Sequence, residues 1–156
     1  MSDRDPSLLV LLKDKEVQER DRRKLLCSEC RQRLHHAQAQ AEQLAAYRRH
    51  YHDHWQAQFK SGATPQALWC YRQFVERLDA ALAQQAHTLT HLSSLLGQAE
   101  HELVRQEIRV ASIDKLLERR ARRSALLQQR SQQRAEDEWA QRAALHAHPS
   151  LAAAGS

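Results

Sequence analysis

Residues 68–117 read LWCYRQFVERLDAALAQQAHTLTHLSSLLGQAEHELVRQEIRVASIDKLL, and one feature of this stretch decides the fold. Leu68, Tyr71, Val75, Leu78, Leu82, Leu89, Leu92, Leu96, Ala99, Leu103, Val110, Ile113 and Leu117 recur at alternating steps of three and four, interrupted only by Gln85 and Gln106. On an α-helix that spacing keeps a narrow apolar stripe on one side, and such a stripe is buried only against another helix. The chain reads as a coiled coil. At about 1.5 Å per residue this stretch alone makes a helix of roughly 75 Å.

Working outward, the partner helix lies upstream. Cys27, Cys30, Leu34, Ala37, Ala41, Leu44, Arg48, Tyr51 and Trp55 follow the same spacing, with Arg48 the lone charged occupant. Between the two stripes stands Ser61-Gly62-Ala63-Thr64-Pro65. There Gly62 suits a left-handed helix C-cap, Thr64 an N-cap and Pro65 the first position of a new helix. Asp5 followed by Pro6 suits the start of the first helix in the same way. The expected fold is all-α: one long two-helix antiparallel coiled-coil hairpin over residues 1–148. Helix one spans about 5–60, the turn 61–65 and helix two about 66–147. The small, uncharged residues 149–156 are expected to form a disordered tail.

With the tip near residues 63 and 64, facing residues should have numbers summing to about 127, which sets Leu44 near Leu82, Ala37 near Leu89 and Arg48 near Asp79. The same register exposes a mismatch. Leu103, Val110 and Ile113 would face residues 13–24, which are nearly all charged apart from Val17. Two expectations follow: a frayed helix one held by Glu16–Arg20 and Glu19–Arg23 pairs, or an apolar stripe on helix two that meets another protein. Phe74, just off the seam, and Trp139, well beyond it, have no evident burial partner in this register and are of the type that anchors interfaces.

Composition agrees with a helical chain and limits its chemistry. The 156 residues include three glycines, three prolines and eight aromatic residues, too little turn chemistry for a sheet fold. The longest apolar run, residues 8–12, is far short of the roughly 18 to 20 needed to cross a bilayer. The N-terminal sequence is unlike a secretory signal, so a cytoplasmic protein is expected. Three cysteines form no complete disulfide set and read as reduced thiols. Cys27-x-x-Cys30 has no second CxxC pair, and His50/His54 and His87/His91 lack the glutamate of an HExxH site, so no metal is expected. No nucleophile with a base and an orienter is present, nor any phosphate-cradling glycine loop. The chain is therefore read as non-enzymatic, with no cofactor and no small-molecule substrate.

The net charge of +5 comes mostly from arginine, which favours an acidic partner. Arg119, Arg120, Arg122, Arg123, Arg130 and Arg134 stand in a segment with no acidic residue between Arg119 and Ala135. Such a segment could neutralise phosphates, but it lacks aromatic stacking residues, so no nucleic acid is expected; a solvated face or an acidic protein surface are the other readings.

Ser61-Gly62-x-Thr64, Trp69-x-Tyr71-x-x-Phe74 and Asp137-Glu138-Trp139-Ala140-x-Arg142 together resemble the flagellar FliJ family, and the resemblance spans nearly the whole chain. It implies a two-helix coiled coil of the bacterial flagellar type III export apparatus, similar in fold to the central stalk of rotary ATPases. The family implies that the end carrying both termini enters the hexameric export ATPase and promotes its assembly and hydrolysis, while the tip region touches the export gate, a membrane protein. Escort of export chaperones, motility and chemotaxis belong to the same implication, as does peripheral association with the inner membrane at the flagellar base. By position, the gate contact would be Phe74, Leu78, Ala81 and Gln85. The ATPase-ring contact would be Arg119, Arg123, Arg130, Arg134, Asp137, Glu138, Trp139 and Arg142. The alternatives are the equivalent stalk of a virulence type III secretion system, or a basic coiled coil that binds nucleic acid.

Overall fold

The computed structural model describes residues 6–147, and two helices, α1 (Pro6–Lys60) and α2 (Pro65–Ala147), account for all of them except a four-residue turn. The helices pack against each other as the expected all-α hairpin, with no strand among the described residues. The expected cap at Asp5 and the tail at 149–156 lie outside the described residues.

The turn forms for the reasons its residues suggest. Gly62 takes φ +95°, a conformation that a side chain makes costly, and its N–H reaches the Phe59 carbonyl at 3.3 Å. The Thr64 hydroxyl accepts from the Ala67 N–H at 3.3 Å, capping an amide that the first turn of α2 leaves without an internal partner. Pro65 opens α2, where its missing N–H costs nothing.

Contacts divide the molecule into two units. The larger, Lys15–Ile108, contains the turn and most of the seam. On α2, every seam position from Tyr71 to Leu103 is buried or half-buried; Leu68 is exposed, so burial begins one step later than the heptads do. On α1, all positions from Cys27 to Trp55 are likewise covered. The register expectation holds at the charged position, where Arg48 makes two hydrogen bonds to Asp79 at 2.5 and 3.2 Å. This guanidinium holds the Asp79 carboxyl below the usual carboxylate range.

Phe74 does have a burial partner. It lies against Tyr51 with ring centroids 4.4 Å apart and meets the edge of Tyr47 at 6.3 Å, within a cluster that also contains Trp55, Phe59 and Tyr71. The sequence expectation missed this because heptad position does not say which way the rings point.

The mismatch also resolves differently from both expectations. α1 neither frays nor leaves the stripe open. In the larger unit Glu16, Arg20 and Arg23 occupy seam positions, and each is half-buried. The arginine stems lie along the seam while their charged ends reach polar partners at its edge, and the Glu16 carboxylate accepts from the buried Gln106 amide. Arg23 bonds Glu102 at 2.6 Å and Glu19 at 3.2 Å, which holds the Glu102 carboxyl below its usual range. The expected Glu19–Arg23 pair is therefore present, whereas Arg20 turns to Asp21 at 3.1 Å instead of to Glu16.

The second unit comprises residues 6–14 of α1 with 109–147 of α2. Here Val110 and Ile113 are 6% and 8% exposed, and Lys13, half-buried, bridges to Asp114 at 2.6 Å. The stripe on α2 that lacked an apolar mate is thus closed within the chain.

Candidate functional site

Beyond Leu117 the heptad positions of α2 become mostly polar: Arg120, Ser124, Ser131, Arg134 and Glu138 stand where apolar residues stood before, with Leu127 the exception among them. The second unit shows the consequence. Every residue from 118 to 147 is solvent-exposed, yet the backbone stays helical throughout. A helix this exposed receives little support from packing and depends on intrinsic propensity and on pairs one turn apart, such as Glu118–Arg122 at 2.5 Å.

The expected ring-contact residues all lie on this segment. Arg119, Arg123, Arg130 and Arg134 form its basic part, Asp137 and Glu138 an acidic step, and Arg142 follows. Trp139, 74% exposed, is the most exposed large apolar residue described, and Leu126, Leu127 and Leu145 are exposed with it. A large aromatic side chain in water beside a dense set of arginines can supply both the apolar anchor and the charge complement of a protein interface.

The expected gate-contact residues are arranged otherwise. Leu78, 7% exposed, belongs to the seam of the larger unit. The Gln85 amide is turned inward and donates to the Ala37 carbonyl at 2.9 Å. Phe74 is half-buried in the aromatic cluster, and Ala81 is exposed. Beside them runs a shallow open groove of about 410 Å³ lined by Gln40, Gln43, Leu44, Tyr47 and Gln85. Of the four residues, Ala81 and the outer part of Phe74 are therefore available to a partner without rearrangement.

A family model described as "Flagellar FliJ protein" matches residues 6–148, which takes in both helices and the turn. The chain belongs to the flagellar FliJ family. A curated relative of the same description, the flagellar FliJ protein of Escherichia coli (strain K12), is 29% identical over 140 residues, covering 88% of this chain and 93% of the relative. No solved structure matches the chain. Membership makes it a component of the flagellar protein export apparatus.

The remaining sequence candidates stay apart from this site. Cys27, Cys30 and Cys70 are free thiols, and burial pushes the Cys27 thiol up from its ordinary value. His50, His54, His87 and His91 lie exposed on helix faces, and among the described residues no three metal-binding side chains converge. Among the described residues no helix is long and apolar enough to cross a membrane.

Sequence reasoning missed a feature of the larger unit. Gln106 interrupts the α2 stripe but is the most completely buried large side chain, 1% exposed, and its amide donates to the Glu16 carbonyl at 3.0 Å. The signal was available, because Gln85 and Gln106 stand at the same heptad phase.

Proposed function

We propose that this FliJ-family chain is the central stalk of the flagellar export apparatus, seating its exposed α2 end in the hexameric export ATPase and promoting ring assembly and hydrolysis. One observation carries the reading most directly: residues 118–147 form a helix exposed along its whole length, arginine-rich, with Trp139 projecting into solvent. Such a segment has the composition of a recognition element, with basic side chains to attract an acidic surface and an aromatic anchor to fill a pocket.

The stalk works without catalysis of its own, by presenting a different helix face to each subunit of the ring. The region around Phe74 and Ala81 meets the export gate, with Leu78 and Gln85 supporting that face from inside the seam. Contact with export chaperones and attachment at the inner membrane follow from the same family role.

Binding to the purified ATPase tests the ring contact. Trp139→Ala should weaken binding by about 2 kcal/mol, the usual threshold for an interface anchor, or roughly 30-fold. Replacing Arg119, Arg123, Arg130 and Arg134 with glutamine should weaken it further and flatten its dependence on salt. Unchanged affinity in both variants would remove the contact from this segment.

A further inference from the structure

Two seam amides in the larger unit, the half-buried Gln85 and the buried Gln106, repeat one geometry. Gln85 Nε2 donates to the backbone carbonyl of Ala37 at 2.9 Å, and Gln106 Nε2 donates to that of Glu16 at 3.0 Å. Positions 85 and 106 are 21 residues apart, and so are 16 and 37, so the two contacts are the same contact displaced by three heptads on both helices. Gln106 also donates to the Glu16 carboxylate. Among the described residues no buried side-chain nitrogen or oxygen is left unsatisfied.

Apart from the exposed ion pairs Arg48–Asp79 and Arg23–Glu102, the rest of the seam tolerates a slide of seven residues. From Tyr71 onward α2 keeps strict three-four spacing, and α1 does the same from Lys13 to Trp55, so a slid pair would again set seam against seam. The glutamines break that equivalence. If α2 moved so that each of its residues met an α1 residue numbered seven higher, Gln85 would find Leu44 where the small Ala37 now leaves its carbonyl open. Gln106 would find Arg23, whose side chain brings only donors where the Glu16 carboxylate now accepts. A slide the other way replaces Ala37 with Cys30 and takes Glu16 away. In either direction Gln106 loses the Glu16 carboxylate, and in the first direction the larger Leu44 side chain crowds the carbonyl that Gln85 would need, which penalises the slid register.

We propose that Gln85 and Gln106 are register locks: they hold α2 at one axial position against α1 across Lys15–Ile108, so that this part of the hairpin answers a load as one body and not by one helix sliding along the other. The inference stands on the seam alone and needs neither partner.

The test is a distance measurement on the full chain by double electron–electron resonance. Spin labels are carried on unnatural residues replacing Ser28 and Gln84, both exposed, which leaves the cysteines untouched. The otherwise unaltered chain should give one narrow distance. The Gln85→Leu/Gln106→Leu double variant should keep its helicity and melt no lower, yet show a second population displaced by about 10 Å along the axis, one heptad of helix rise. Ala37→Leu, which fills the slot from the other helix and leaves both glutamines in place, should produce the same second population. A single unshifted distance in both variants would mean that the turn alone sets the register. That result, or loss of helicity without a second register, overturns the proposal.

Discussion

Ile113→Ala tests whether charged stems really close the α2 stripe in the second unit. Ile113 is 8% exposed, and the α1 side chains beside it in that unit include Lys13, which bridges to Asp114. Removing an isoleucine side chain from a core costs about 2 to 5 kcal/mol, through lost transfer energy and the cavity left behind. A seam covered partly by flexible stems relaxes more readily than a globular core, so the lower end applies: about 2 kcal/mol, or roughly 30-fold in the folding equilibrium. Leu11→Ala is the control, since Leu11 is 64% exposed and should change stability by less than about 0.5 kcal/mol. Urea unfolding followed by helical circular dichroism, fitted with a common slope, reads both. Equal, small effects at the two positions would refute the reasoning, because they would mean that Ile113 is covered only when another protein arrives.

Three further outcomes follow from particular atoms. Gly97→Ala should stabilise the chain by about 0.5 to 1 kcal/mol, since Gly97 lies inside α2 with nothing within 4 Å of an added Cβ, whereas Gly62→Ala should destabilise it by about 1 kcal/mol at φ +95°; thermal melts separate the two signs. Asp79 and Glu102 have folded pKa values held below their unfolded ones by Arg48 and Arg23. Their contribution is therefore complete above about pH 4.5 and lost as pH falls through the lowered values, and Asp79→Asn should flatten the acid limb of a stability–pH curve by lowering the neutral plateau slightly while leaving the acid end unchanged. Thiol titration at mildly alkaline pH should label exposed Cys70 first and Cys27 about tenfold or more slowly, because Cys27 is buried and its thiol is pushed up by desolvation.

Most of the fold is written in period and punctuation. The three-four stripe on α2, its counterpart from Cys27 to Trp55, the Gly62–Thr64–Pro65 turn and the Arg48–Asp79 pair all stand where spacing alone puts them. What spacing did not reveal came from judging residues by type. Glu16, Arg20 and Arg23 keep the seam period, but their charge hid the fact that long side chains can cover a neighbour and still reach water. By type alone Gln106 reads as an interruption, because a buried amide is legible only once its acceptor, the Glu16 carbonyl, is in view. Phe74 found Tyr47 and Tyr51 across the pair, a contact that depends on ring directions and not on heptad position. The candidate site is more legible than these details, since the regular apolar heptads end at Leu117 and the exposed, arginine-rich segment begins at residue 118.

The central claim, a stalk that activates the export ATPase through the exposed end of α2, is tested most directly by ATP hydrolysis. The purified ATPase from the same organism is assayed alone, with the full chain, and with a chain ending before Asp137. The account predicts stimulation by the full chain that is lost on truncation, with the helical melt of the larger unit unchanged. Hydrolysis that stays the same in all three, by an ATPase shown to form hexamers, would contradict it.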